Sequence, residues 1–188
     1  MKKRLRDFVD MMQGVNSTRI KNKETVVLYD QTDFERDLLE AATPNESLGK
    51  SEKGDFLIKE GDIIINSMKQ QATIASSQSV GKILTMNFLK VDFLNEELDK
   101  RFFVYLFNEN RQMKRLKERE AQGTTSSVQK IPINSLKSLE VPATPLKRQK
   151  QIGKTYTDLL AFRKKQLEVL EQNNKFTLEI LERATKKI

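Results

Sequence analysis

The sequence predicts an α+β protein, with a small mixed globular domain of many short strands followed by one long C-terminal coiled-coil helix. Short apolar runs separated by turn residues, which are typical of strands, continue to about residue 143. Beyond Pro145 no proline occurs, and Gly153 is the only glycine. We therefore predict a globular domain over residues 1–143 and a helix over residues 144–188.

The predicted globular domain begins with a short strand or helix that ends at Gly14. Residues 30–54 are acidic and irregular, with a turn signal at Thr43 and Pro44. Residues 66–79 form a polar segment between apolar runs. Strands are predicted at residues 26–29, 56–58, 63–65, 83–88, 131–133 and 139–141.

A second helix is predicted from Asn95, a good capping residue, to Gly123, a good stop signal. Its last part contains a basic ridge, which is interpreted either as a solvated helix surface or as a phosphate-facing surface. The ridge comprises Arg111, Lys114, Arg115, Lys117 and Arg119.

The long helix is predicted to start with Thr144 as its cap and Pro145 as its first residue. It contains a seven-residue repeat of mostly apolar positions. A helix of about 65 Å, at ~1.5 Å per residue, needs an equally long partner, so we predict that the partner is a second copy of the chain. The alternative is that the helix folds back on its own domain. The predicted dimer residues are Leu160, Leu167, Leu170, Asn174, Leu181 and Ile188.

Composition excludes several classes of function. The chain has no cysteine and no histidine, which removes thiolate chemistry and the commonest general base and metal ligand. No phosphate loop, dinucleotide fingerprint or methyltransferase motif occurs, so no catalytic or metal-binding residue is predicted. No apolar run is long enough to cross a membrane, and we expect a cytoplasmic protein. The net charge of +8 favours a polyanion partner.

Three loops are rich in side chains that contact base edges and phosphates, and they comprise residues 16–21, 69–71 and 124–130. Direct base contact is assigned first to Arg19, Gln70 and Gln71, whereas Thr124 and Thr125 are assigned to backbone positioning. A polar stretch at residues 76–78 is grouped with the second loop. The candidate DNA-binding residues are Asn16, Ser17, Thr18, Arg19, Lys21, Lys69, Gln70, Gln71, Thr124, Thr125, Ser126 and Lys130.

A recognisable pattern lies at the end of the globular domain and comprises residues 123–125, 131–133 and 139–142 with Leu136, Pro145, Gln149 and Ile152. Together with the turn at residues 61–65, this pattern resembles the specificity subunit of type I restriction-modification systems. A full specificity subunit has two target recognition domains and two long helices, whereas this chain has one of each and resembles a half-subunit.

The resemblance implies a non-catalytic subunit that recognises one half of an interrupted site in double-stranded DNA. It also implies type I methyltransferase subunits as partners docked on the long helix, and a restriction and translocase subunit where one is present. No cofactor is expected in this chain, because S-adenosylmethionine belongs to the methyltransferase. Two chains paired through antiparallel helices would reproduce the full subunit.

Three other functions remain open at this point. One is a free-standing dimeric DNA-binding regulator, which would bind its site without any partner. Another is a coiled-coil adaptor whose basic charge is incidental. The third is a carboxylate-dependent nuclease, although paired acids such as Glu96 and Glu97 are better explained by the helix dipole.

Overall fold

The computed structural model describes residues 3–20, 26–52, 54–122 and 130–186. It contains one four-stranded antiparallel sheet with the strand order β1-β4-β2-β3. The strands are β1 (Val9–Gln13), β2 (Ile63–Asn66), β3 (Gln71–Ile74) and β4 (Phe88–Phe93). The helices are α1 (Gln31–Glu40), α2 (Lys100–Glu109), α3 (Arg111–Gln122), α4 (Ile133–Ser138) and α5 (Leu146–Thr185). The predicted fold class, a mixed α and β domain followed by a long C-terminal helix, is confirmed.

The sheet separates two hydrophobic cores. Ile63 and Ile65 of β2 face the larger core, and Ile64 between them faces the smaller one. All three side chains are buried because β2 is an internal strand covered on both faces. The larger core is completed by α2, whose Phe103 and Phe107 are fully buried.

Helix α1 lies in the acidic segment that was predicted to be irregular. Asp30 caps it by accepting a bond from the Asp33 amide (2.9 Å), and the Asp33 side chain accepts one from the Asp30 amide in return (3.4 Å). Phe34 anchors the helix in the smaller core. The buried Asp37 carboxylate accepts hydrogen bonds from three hydroxyl groups, those of Tyr29, Ser76 and Ser79.

The single helix predicted from Asn95 to Gly123 is two helices. Asp99 caps α2, with the Phe102 amide donating to its carboxylate at 2.8 Å. Asn110 has an extended backbone and separates α2 from α3, which it caps through the Met113 amide (3.0 Å). Asn95 instead accepts from the Glu97 amide in the turn before α2.

Of the predicted strands, the one at residues 63–65 lies in the sheet, and the others were wrong in whole or in large part. Residues 26–29 and 56–58 contribute only isolated bridges, which join Leu28 and Leu57 to Ile83. Residues 83–88 contribute isolated bridges and a single strand residue, Phe88, the first residue of β4. Residues 139–141 contribute one bridge, between Arg4 and Glu140. Residues 131–133 lead into α4, and Pro132 occupies its N-terminal cap position. These segments pair too briefly to form strands.

Helix α5 begins one residue later than predicted, because Pro145 is its cap position and Thr144 provides no side-chain cap. The Gln149 side chain stabilises the start of α5 by donating to the Thr144 carbonyl (2.9 Å). The first part of α5 packs on α2 and α1, with Tyr156 and Leu160 buried. Every residue described after Lys164 is exposed. No helix in the described ranges combines the length and the apolar character that a bilayer crossing requires.

Candidate nucleic-acid interface

The register of the sheet brings several polar segments to one end. Gln13, the last residue of β1, pairs with Leu89 at the start of β4. Asn66, the last residue of β2, pairs with Phe88 of β4 and with Gln71, the first residue of β3. The segment after β1, the β2–β3 turn and the segment before β4 therefore emerge side by side.

The β2–β3 turn comprises residues 67–70 and is stabilised from within. The Asn66 side chain accepts hydrogen bonds from the amides of Met68 (2.9 Å) and Lys69 (3.0 Å). Gln70 has a left-handed backbone with φ of 52°. The Nε2 group of its side chain donates to the Ser67 carbonyl at 2.7 Å. The Gln70 side chain is therefore engaged within the turn, whereas Lys69 extends outward to Glu35 (2.6 Å).

Two buried side chains hold the end of this turn and the start of β3. Asn108 of α2 accepts from the Ala72 amide (2.7 Å) and donates to the Ala72 carbonyl (2.8 Å), so it pairs the backbone groups of this residue on the edge strand β3. The Lys117 ammonium group donates to the carbonyls of Gln70 (2.6 Å) and Phe107 (2.7 Å). It also lies 4.0 Å from the centre of the Phe107 ring.

One residue of the predicted basic ridge, Lys117, does not lie at the surface. Its side chain is buried, so it belongs neither to a solvated surface nor to a phosphate-facing one. Burial, helped by the nearby charge of Lys114, lowers the pKa of Lys117 to about 8. The other four ridge residues are exposed on α3, where both interpretations still apply.

The segment after β1 lies against the segment before β4. Asn16 accepts hydrogen bonds from the amide (3.1 Å) and hydroxyl (3.0 Å) of Thr18 and so caps a short 3-10 turn at Ser17–Arg19. Gly14 permits the close approach, since a Cβ atom there would lie 2.4 Å from the carbonyl oxygen of Leu84. Lys21 lies outside the described residues, and nothing is described of the Arg19 side chain.

The third predicted loop reaches the same end of the sheet through its last residue. Lys130 donates to the Asn87 side chain (3.1 Å), and the Asn87 carbonyl accepts from the Ser67 amide (2.9 Å). Thr124, Thr125 and Ser126 lie outside the described residues.

Residues 76–78 do not join this surface. They follow β3 at the opposite end of the sheet, because Ile74 pairs with Ile63 at the start of β2. The Ser76 hydroxyl is directed inward to Asp37 (2.6 Å). The predicted grouping of these residues with the β2–β3 turn was wrong.

Sequence reasoning also missed residues at this end of the sheet. Met68 and Met86 are 49% and 40% exposed, and Asn87 is exposed beside them. Apolar side chains of this kind contact thymine methyl groups in DNA complexes. The position of Asn87 just before an apolar strand was the available signal. We call the following set the loop surface: Asn16, Ser17, Thr18, Met68, Lys69, Gln71, Met86, Asn87 and Lys130.

The predicted dimer residues of α5 divide into two groups. Leu160 is 8% exposed and packs in the core of its own chain, so it is not available to a partner. Leu167, Leu170 and Leu181 are 50–56% exposed, and Asn174 lies between them on the same face. We call these four residues the leucine stripe. Ile188 lies outside the described residues.

A second apolar stripe lies on another face of α5. Phe162, Val169, Phe176 and Ile180 are each at least half exposed. At ~100° per residue, this stripe is roughly 130° around the helix from the leucine stripe. The two stripes therefore present two separate apolar faces.

Comparison with known structures identifies specificity subunits of type I restriction-modification systems. The S subunit from M. genitalium has a TM-score of 0.58 and 20% identity, with 93% of this chain and 42% of that chain covered. The HsdS subunit from Thermoanaerobacter tengcongensis has a TM-score of 0.56 and 16% identity, with 98% and 43% covered. A structure described as the basis of complex assembly and conformational transition of the type I R-M system has a TM-score of 0.57 and 15% identity, with 98% and 44% covered.

These likenesses establish the fold, and the chain spans less than half the length of each of these structures. A search of curated protein sequences found no match. The sequence matches the family described as "Type I restriction modification DNA specificity domain" over residues 1–172. Specificity subunits are the non-catalytic recognition subunits of type I systems. Because the match covers most of the chain, this protein belongs to the type I restriction modification DNA specificity domain family.

Proposed function

We propose that this chain recognises one half of an interrupted DNA site and directs a type I methyltransferase, and a restriction subunit where present, to that site. The observation that supports the proposal is the convergence of the loop surface at one end of the sheet. The loop surface combines side chains with amide, hydroxyl and ammonium groups and the exposed thioether groups of methionine. Those groups match the donors, acceptors and methyl groups displayed in the major groove.

Electrostatics favour the same surface. The chain has a net charge of +8, and Lys69 and Lys130 both belong to the loop surface. Lys69 pairs with Glu35, and both side chains are about half exposed, so DNA phosphates can compete for the lysine. In this proposal these lysines contact phosphates, while Gln71 and Asn87 are placed to contact base edges.

Gln70 differs from its neighbours, because its side-chain amide already donates to Ser67. A contact between this amide and a base would require that bond to break. The candidates at Arg19, Lys21, Thr124, Thr125 and Ser126 remain predictions.

The leucine stripe of α5 supports antiparallel pairing of two copies. If the two-fold axis passes between Lys175 and Phe176, Leu170 of one copy faces Leu181 of the other. Asn174 then faces Thr177, and this polar pair near the centre fixes the register at some cost in stability. The exposure of these leucines in the single chain is consistent with such a partner.

The second apolar stripe is then free for the methyltransferase subunits. Phe162 and Phe176 are 57% and 65% exposed, which suits an apolar partner helix. S-adenosylmethionine would be bound by that partner. Among the described residues, no group of acidic side chains is arranged to hold a metal ion.

Co-purification tests the proposed function. The tagged chain is isolated from its own cells, its partners are identified by mass spectrometry, and the complex is incubated with genomic DNA and S-adenosylmethionine. We expect an adenine methyltransferase and methylation at one defined interrupted sequence. A chain that remains alone, or a complex that methylates without sequence preference, contradicts the proposal.

A further inference from the structure

We infer that Lys117 is a positioning residue, which holds the β2–β3 turn so that Lys69 and Gln71 meet DNA in a fixed arrangement. This inference rests on the proposed function and adds a residue that lies outside the loop surface. Lys117 is on α3, and it reaches the turn through the Gln70 carbonyl at 2.6 Å.

The burial of Lys117 is unusual for a lysine. Its side chain is 7% exposed, and its ammonium group is bonded to two main-chain carbonyls and stacked on Phe107. A buried ammonium group is costly, whereas an apolar side chain of similar length would be buried without that cost. What the lysine provides, and an apolar residue would not, is a charge-assisted bond to the carbonyl of Gln70.

Gln70 is the residue whose conformation needs such support. Its φ of 52° is uncommon for a residue other than glycine. Its Oε1 atom is buried without a hydrogen-bond partner in the described part of the chain. Backbone strain and an unpaired acceptor persist where surrounding contacts over-determine the conformation, and such strain is concentrated at binding sites.

The support acts at both ends of the turn. Asn66 holds the amides of Met68 and Lys69, and Lys117 holds the carbonyl of Gln70, the last residue of the turn. Gln71 follows directly, and the next residue, Ala72, is held by Asn108. The exposed side chains of the turn thus project from a backbone that is ordered before DNA arrives, which reduces the entropy lost on binding.

Binding measurements on the full chain test the inference. Wild-type protein selects a sequence from a random duplex library, and the ratio of Kd for a scrambled duplex to Kd for the selected duplex measures discrimination. We expect Lys117→Met to lower this ratio at least tenfold, while Kd for the scrambled duplex changes less than threefold. Lys117→Gln serves as a second variant if methionine prevents folding, and we expect the same direction.

Lys114→Met is the matched control. Lys114 is on the same helix and loses the same charge, but it is exposed and bonded to Glu109 at 2.9 Å. We expect this variant to weaken binding to both duplexes equally and leave their ratio unchanged. A wild-type ratio in Lys117→Met overturns the inference, as does an equal loss of discrimination in Lys114→Met.

Hydrogen exchange of the free protein separates this inference from the proposed function. We expect Lys117→Met to increase the exchange rate of the amides of residues 68–72 at least tenfold, without a change in the amides of β1. Unchanged exchange overturns the positioning role, whatever the DNA result. If the wild-type chain selects no sequence, the proposed function fails, even when the exchange result shows that Lys117 orders the turn.

Discussion

Asp10 illustrates at the level of one residue how charges join distant parts of this chain. Its carboxylate on β1 pairs with Lys50 at 2.9 Å and with Lys137 of α4. Partial burial alone would raise its pKa, but the bonds from Lys137 and Lys50 outweigh that effect and lower the pKa of Asp10 to about 2. The unfolded value is about 3.9, so the ionised carboxylate stabilises the fold above about pH 4. This contribution is lost as the pH falls through about 2.

We predict that Asp10→Asn lowers the free energy of unfolding by about 1–2 kcal/mol at pH 6, after allowance for partial exposure. The difference from wild type should shrink as the pH is lowered from 4 to 2. Urea unfolding followed by circular dichroism at several pH values measures both effects. Glu97→Gln is the control, because Glu97 and its partner Lys3 are each 58% exposed. We expect that control to change stability by less than about 0.5 kcal/mol, and a pH-independent loss in Asp10→Asn would contradict the prediction.

Helices of this protein were more predictable than its strands. Absence of helix breakers identified α5, and the apolar face identified α2 together with α3. Helix α1 was missed because its acidic composition obscured a capping pair at Asp30 and Asp33, which was the usable signal. Short apolar runs predicted strands, but whether a run gains a ladder or a single bridge depends on partners far away in the sequence. Residues 83–88 show this, since most of that run precedes β4.

The candidate site was predictable only in part, because it also depends on contacts between residues far apart in the sequence. Polar composition identified the β2–β3 turn, and the register of the sheet then placed it beside Asn16 and Lys130. The role of Lys117 could not be predicted, because its acceptor at Gln70 is 47 residues away in the chain. The sequence does carry a signal for its burial, because Lys117 lies four residues after Met113 and four before Ala121, on the same face of the helix.

The contact between α5 and α2 depends on Gly153. A Cβ atom at this position would lie 2.6 Å from the Phe102 amide nitrogen and 2.8 Å from the Cβ of Arg101. Helix propensity alone predicts that Gly153→Ala stabilises the protein by about 1 kcal/mol. We predict the opposite sign, a loss of about 1–3 kcal/mol, because the two helices must move apart. Thermal and urea unfolding of the purified variant decide between the two signs, and any gain in stability contradicts this packing.

At the scale of the whole molecule, the two apolar stripes of α5 predict two separable associations. Leu167→Asp combined with Leu181→Asp should abolish dimerisation, because both side chains belong to the leucine stripe. The globular part should remain folded, since both residues are at least half exposed. Sedimentation equilibrium gives the mass, and circular dichroism checks the fold.

Phe162→Asp combined with Phe176→Asp is the matched variant on the second stripe. It should leave the dimer mass unchanged and weaken capture of the methyltransferase at least tenfold in a pull-down. Loss of the dimer in this variant would show that both stripes serve one interface.

The proposed antiparallel pairing would also determine the symmetry of the DNA site. Two identical loop surfaces related by a two-fold axis must contact two identical half-sites in inverted orientation. In such a dimer the bases between the two half-sites would lie away from both loop surfaces, so we expect them to show no sequence preference. Hydroxyl-radical footprinting of the methyltransferase complex should therefore show two protected segments of equal length, symmetric about an unprotected centre. Lys69→Ala should weaken protection of both segments together, because each segment meets the same residue of a different copy. A single continuous footprint, or a change confined to one segment, would contradict a symmetric dimer on DNA.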